Sequence, residues 1–234
     1  MAVGDFNGDG KADIAVPVTV PQHGDSAVSI LLGNGDGTFH SPINSSGYTP
    51  TPISIRVADF NGDGKLDVVW GYYGQITVFL GNGNGTVQQP LNTSVPAGVL
   101  VAVADFNNDG IPDAAVLWQG EGIYVFLGKG DGTFGTGVLT TDYLNCNAIL
   151  VGDFNGDGTP DLSCYGQGTS ILLGNGDGTF QPSVAYDIPG YAITAGDFNG
   201  DERLDLVSLG LPVSVTLGKG DGSFLLDTFV IVCL

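Results

Sequence analysis

Apolar residues along this chain come in short, β-branched runs, each cut off by a cluster of Gly, Asp and Asn. Residues 53–60, 99–106 and 149–154 are such runs, and each leads into an acidic, glycine-bearing segment. Shorter runs leave those segments at 66–70, 162–165 and 204–209. Apolar runs of this length between turn residues predict buried strands. No stretch carries the three- and four-residue spacing of an amphipathic helix, so the chain is predicted to be all-β.

The punctuation between the runs repeats. An acidic nonapeptide, Asp-Phe-Asn-Gly/Asn-Asp-Gly-x-x-Asp, opens at Asp5, Asp59, Asp105, Asp153 and Asp197, with Glu202 replacing its second glycine in the last copy. Successive copies lie 44 to 54 residues apart. A second motif follows each one, at 32–39, 80–87, 127–134, 173–180 and 217–224, reading Leu-Gly-Asn/Lys-Gly-Asp/Asn-Gly-Thr/Ser-Phe/Val. Alternating Gly with Asn or Asp supplies the positive φ angles of tight hairpins. One period therefore contains strand, acidic loop, strand, variable connection, strand, glycine hairpin and strand. That predicts a β-propeller of five four-stranded antiparallel blades in a single domain. The blades fall at 1–47, 48–95, 96–143, 144–188 and 189–234. A closed five-bladed ring is the first expectation, and a segment of a larger propeller the alternative. Nine of the twelve Phe lie in one of the two motifs, where they are expected to wedge between neighbouring blades.

Charge then changes the picture. The formal net charge is −19, but three Asp in each of five loops make up fifteen of the 25 acidic residues. Side chains at positions one, three and five of a tight loop can converge on one hard cation, as in the EF-hand, which also turns on a glycine at six. Five bound divalent cations would bring the formal charge from −19 to −9. The acidity thus reads as ligand rather than surface. Six Lys and Arg in all provide no basic patch, which excludes nucleic acid as the expected partner. Cys146, Cys164 and Cys233 lack zinc-site spacing; three buried thiols are the first expectation and one bridge the alternative. No leader precedes the first repeat, and the apolar end at 229–234 is too short to span a bilayer. A mature domain or a piece of a longer precursor, without membrane insertion, is the expectation.

The segment 59–67, taken with a hairpin such as 173–180, resembles FG-GAP/VCBS repeats, which are similar to the propeller repeats of integrin α subunits. The resemblance covers essentially the whole chain. It implies a propeller holding calcium in each strand-to-strand loop, four to five ions in all. Carried over, the first unit's ligands are Asp5, Asn7, Asp9, the Lys11 carbonyl and Asp13. The second offers Asp59, Asn61, Asp63, the Lys65 carbonyl and Asp67; the third Asp105, Asn107, Asp109, the Ile111 carbonyl and Asp113. The fourth offers Asp153, Asn155, Asp157, the Thr159 carbonyl and Asp161; the fifth Asp197, Asn199, Asp201, the Arg203 carbonyl and Asp205. The fifth site is expected to be the weakest. A residue with a Cβ loses about 1–2 kcal/mol in a left-handed conformation, and Arg203 brings positive charge nearby. Asp36, Asn84, Asp131, Asp177 and Asp221 in the hairpins are expected to form turns rather than to bind metal.

In an up-and-down blade the acidic loop and the glycine hairpin share one face, and the variable connections share the other. Tyr48, Tyr143 and Tyr191 fall at or near those connections, as do the leading ligand-face candidates Tyr72, Tyr73, Trp118 and Tyr165. His23 beside Asp25, and the lone acid Glu121 near Trp118, form no catalytic set; glycoside hydrolysis wants a second carboxylate. The expected function is a non-catalytic, calcium-stabilised scaffold for carbohydrate or protein recognition and adhesion. Weak calcium sites suit a secreted or cell-surface protein. The alternatives are a propeller domain of a secreted polysaccharide-degrading enzyme, or a structural repeat array in a large surface protein. Assembly into oligomers is left open.

Overall fold

The computed structural model describes residues 1–19, 26–45, 49–72, 74–95, 100–118, 121–142, 146–166, 168–188, 192–209, 213–225 and 229–231. His23, Asp25, Tyr48, Tyr73, Tyr143, Tyr191 and Cys233 lie outside the described residues. Every regular element among those described is a strand.

Among the described residues twenty strands form five four-stranded sheets, each running in sequence order and each inside one repeat. The first holds β1 (Ala2–Gly4), β2 (Asp13–Thr19), β3 (Ser26–Leu31) and β4 (Ile43–Asn44). The second holds β5 (Ser54–Ala58), β6 (Asp67–Tyr72), β7 (Gln75–Phe79) and β8 (Leu91–Ser94). The third holds β9 (Leu100–Ala104), β10 (Asp113–Trp118), β11 (Gly122–Phe126) and β12 (Val138–Asp142). The fourth holds β13 (Cys146–Gly152), β14 (Asp161–Gly166), β15 (Gly168–Leu172) and β16 (Val184–Tyr186). The fifth holds β17 (Ala192–Gly196), β18 (Asp205–Leu209), β19 (Val213–Thr216) and β20 (Phe229–Ile231). The chain is thus an all-β, five-bladed propeller of repeats. An acidic loop joins the first two strands of each blade, and a glycine hairpin joins the last two.

The chain divides into two compact units. One comprises Met1–Val103, Gly110–Trp118 and Phe126–Gly137, and the other Ala104–Asp109, Gln119–Val125 and Val138–Leu234. In the first unit, Ala15, Val28 and Ile30 of the first blade pack against Val68 and Trp70 of the second, with Phe6 and Phe79 beside them. In the second unit, Phe154 and Ile171 of the fourth blade pack against Leu206 and Phe224 of the fifth. The second strand of an inner blade is covered on both sides, and its first five residues are buried in β6, β10 and β14. Strands of that kind read as continuous apolar runs rather than alternating ones.

Successive blades are joined by one repeated device. In the second to fifth blades the third glycine of the hairpin donates its N–H to the carbonyl of the acidic-loop Phe in the blade before. The pairs are Gly85 to Phe6 (3.0 Å), Gly132 to Phe60 (3.2 Å), Gly178 to Phe106 (2.9 Å) and Gly222 to Phe154 (3.0 Å). The loop Phe then meets the hairpin Phe edge-on, with ring centroids 5.7 Å apart for Phe60–Phe134, 5.6 Å for Phe106–Phe180 and 6.0 Å for Phe154–Phe224. Val87 replaces the hairpin Phe in the second blade and packs in the Phe6 cluster.

One expectation is overturned. Cys146 and Cys164 form a disulfide across β13 and β14, with Cα atoms 5.5 Å apart. The bridge is hidden from sequence because a register shift between Cys146 and Ala148 brings the two residues close. Both sulfurs sit in the core, where they looked like ordinary buried thiols.

Candidate metal centre

Each acidic loop is a nest of backbone N–H groups aimed at its own side chains. In the second blade Asp59 Oδ1 accepts from the Gly62 N–H (2.8 Å) and the Asp63 N–H (3.2 Å), and its Oδ2 from the Gly64 N–H (2.7 Å). Asn61 Oδ1 accepts from the Asp63 N–H (3.1 Å), and Asp63 Oδ1 from the Lys65 N–H (3.0 Å). The first loop repeats this pattern through Asp5, Asn7 and Asp9. The fourth does so through Asp153, Asn155 and Asp157, and the fifth through Asp197, Asn199 and Asp201. In the third, Asp109 donates its N–H to both Asp105 and Asn107.

In the first and fifth loops these bonds favour the ionised form of the position-one carboxylate. Asp5 lies below the ordinary carboxylate range, chiefly through the Gly10 N–H, and Asp197 likewise through the Glu202 N–H. The outer oxygen of the position-five Asp takes whatever positive or donor group is at hand. That group is Lys11 Nζ at 3.4 Å from Asp9, and Lys65 Nζ at 3.1 Å from Asp63. In the other loops it is the amide of Asn107, Asn155 or Asn199.

The position-nine Asp does something the sequence did not reveal. Asp67 is fully buried, with Oδ2 accepting from the Phe60 N–H (2.8 Å) and Oδ1 from the Gly81 N–H (2.7 Å). It therefore ties its loop to the glycine hairpin of the same blade. Asp13, Asp161 and Asp205 make both equivalent bonds, and Asp113 bonds the Gly128 N–H. Burial, with the charges of Asp59 and Asp63 adding to it, pushes Asp67 up to about 6 despite those two bonds. Asp161 is pushed up to about 6 in the same way, with Asp157 and Asp153 adding. The first hairpin glycine fits this tie alone, since a Cβ on Gly81 would collide with the Leu66 carbonyl. The hairpin acids form turns: Asp36 Oδ1 accepts from both the Thr38 N–H (2.9 Å) and the Thr38 hydroxyl (2.6 Å).

The donor set fits a hard cation in type. Every side chain aimed at the loop interior offers oxygen, and a carboxylate keeps lone pairs beyond one hydrogen bond per oxygen. Among the described residues no three acidic side chains already stand together as a cluster.

At the far end of the sheets, Tyr72 and Trp118 occupy equivalent places, five residues after the position-nine Asp and closing β6 and β10; both are half-buried. Tyr165 comes only four residues after Asp161, so its side chain points to the opposite side of its strand. It is 3% exposed, which removes it from the ligand face. Glu121 is an exposed turn residue, and His40 is exposed as well. A cavity of about 210 Å³ beside the second hairpin, lined by Val28, Ile30, Ile43 and Val87, offers no aromatic or charged wall.

Fold and loops together define a repeat propeller with acidic turns. The FG-GAP-like repeat matches residues 5–70, 59–116, 105–164 and 162–208, and the chain belongs to that family. Among curated protein sequences none matches significantly. Among solved structures it is similar to a lectin of Agrocybe aegerita described as recognising non-reducing terminal N-acetylglucosamine. Identity there is 21%, the TM-score is 0.66, and the match covers 93% of this chain and 65% of that one. The BP39L lectin of Burkholderia pseudomallei superposes with a TM-score of 0.73 at 13% identity, over 96% of this chain and 68% of that one. The V. cholerae biofilm matrix protein Bap1 gives 0.50 at 20% identity, over 94% and 37%. The chain thus spans about two thirds of either lectin.

Proposed function

We propose that this protein is a non-catalytic recognition module whose acidic loops bind calcium and whose opposite face takes a glycan, outside the cell. The observation that carries the reading is the recurrence of one oxygen-only loop, with the same backbone bonds, in blade after blade. Uncompensated, three carboxylates in nine residues repel one another; a divalent cation turns that repulsion into attraction. Asp, Asn and Asp at positions one, three and five would hold the ion, with the position-seven carbonyl and the Asp at nine. The ion would supply charge and cross-linking, not chemistry. The chain's own residues supply the rest: the position-nine Asp fixes the loop to its hairpin, and the hairpin fixes the blade to its neighbour.

Glycan recognition is favoured by the likeness of fold to two lectins and by Tyr72 and Trp118 at matching places on adjacent blades. Sugars stack on such rings. The disulfide between Cys146 and Cys164 supports an oxidising, extracellular setting. A glycan array run in calcium tests the reading. Sugar binding that is lost with chelator and with Trp118→Ala is the expected result. An array without hits in calcium contradicts the lectin reading and leaves a structural repeat array.

A further inference from the structure

The joint between the fourth and fifth blades is closed by two rings, and it lies wholly within the second compact unit. Tyr186, on the outermost strand β16, stands opposite Thr169 and meets Phe224 of the next hairpin edge-on, with ring centroids 5.4 Å apart. Its hydroxyl donates to the Gly222 carbonyl at 3.3 Å. Phe224 is left 3% exposed.

The joint between the first and second blades, wholly within the first unit, carries neither ring. Four residues beyond the position-nine Asp, Pro17 pairs with Val28 and Tyr165 pairs with Thr169, so Val28 and Thr169 are counterparts. Ser45 donates its N–H to the Val28 carbonyl (2.8 Å), which sets it opposite Val28 and in the place of Tyr186. Val87 takes the place of Phe224 in the hairpin. Between the second and third blades Phe134 keeps one ring, 4% exposed. A hydroxymethyl and an isopropyl group thus stand where the fourth blade's joint has two aromatic rings. The space they leave is the cavity of about 210 Å³, lined by Ser45 and Val87 together with Val28 and Ile30. Asn44 is exposed and lines it too, so the cavity opens to solvent. An apolar cavity of about 150 Å³ is enough to hold a benzene ring.

We propose that this cavity binds a small molecule bearing a phenol ring. The occupant is defined by the way the chain fills the same place itself: a hydroxyphenyl ring against a hairpin, its hydroxyl on the third hairpin glycine. Gly85, the counterpart of Gly222, lines the cavity, and its carbonyl is the acceptor assigned to that bond. Val28, Ile30 and Val87 suit the faces of the ring, and among the described residues no charged group lines the cavity to favour an ion. The proposal needs neither the calcium loops nor a glycan.

Titration calorimetry of the whole chain with p-cresol tests it, with backbone amide shifts followed by NMR. Saturable binding is expected, with the largest shifts at Val28, Ser45 and Val87. Toluene, which lacks the hydroxyl, is expected to bind roughly fivefold more weakly. Ser45→Tyr with Val87→Phe supplies the two missing rings and is expected to fold and to abolish binding. Where that double variant gives no cooperative melt, Val87→Phe alone, which copies the other four hairpins, takes its place. A wild-type chain that takes up no p-cresol overturns the proposal. So does binding retained by a folded, filled variant, toluene bound as tightly as p-cresol, or shifts that gather elsewhere on the molecule.

Discussion

Glu202 is the residue most at odds with its surroundings. Two non-glycine residues among those described have positive φ, Asn108 at 57° and Glu202 at 64°. Asn tolerates this conformation because its short side chain bonds locally, whereas Glu gains no such help. Replacing Glu202 by Gly is expected to raise stability by about 1 kcal/mol and to tighten the fifth loop's hold on calcium. Thermal melts with calcium titrations read both, and a variant no more stable than wild type contradicts the strain argument. The buried position-nine Asp makes a second prediction, at the level of protonation. Asp67 and Asp161 sit at about 6 in the folded chain, above the ordinary 3.8 of an unfolded one. The native state thus binds more protons between those values, and in calcium-free buffer stability falls as pH rises from about 4 to about 6. Saturating calcium favours the carboxylate form, so the fall is expected to flatten or reverse. Melting temperatures across that range with and without chelator decide it; a calcium-free chain that gains stability over the window refutes it. The sequence showed these Asp as the ends of nine-residue loops. It did not show that they also bond the hairpin, because that partner lies 14 residues on in the second blade and 20 in the first.

At the scale of the element, each blade is a closed exchange between its acidic loop and its hairpin. The fourth blade adds a covalent clasp. The Cys146–Cys164 disulfide spans 18 residues and encloses the whole fourth loop, with Asp153 and Asp161 inside the ring. Closing a loop of that size contributes about 3 kcal/mol in the chain-entropy account. Reduction is accordingly expected to lower the melting temperature, while Cys146→Ala with Cys164→Ala makes the protein indifferent to reductant. A wild-type melt unchanged by reductant counts against the clasp. Strand order and hairpins were legible because Gly, Asn and Asp mark the turns and the runs between them are short and β-branched. The disulfide was not. Three Cys without paired spacing give no connectivity, and the bulge that aligns two of them is a backbone irregularity with no residue signature. Tyr165 was misplaced for a related reason: one residue of register separates it from the position of Tyr72 and Trp118.

For the whole molecule, the two motifs act as one mechanism repeated along the chain. A loop is shaped by its own Asp residues, tied to its hairpin by a buried carboxylate, and clamped under the following hairpin by a backbone bond and an aromatic pair. On the calcium reading proposed above, a cation in the loop would brace a joint between blades as well as a turn. If each site binds with a Kd near 0.1 mM in about 1 mM calcium, it contributes about 1.4 kcal/mol, and five contribute about 7 kcal/mol. For a chain of this size that corresponds to a shift in melting temperature of roughly 15–25 °C. Native mass spectrometry with and without chelator, paired with a melt of the same samples, tests this most directly. Four or five calcium ions per chain, lost on chelation together with a melting temperature lowered by that amount, is the predicted result. A chain that carries no calcium at millimolar concentration and melts at the same temperature in chelator contradicts it.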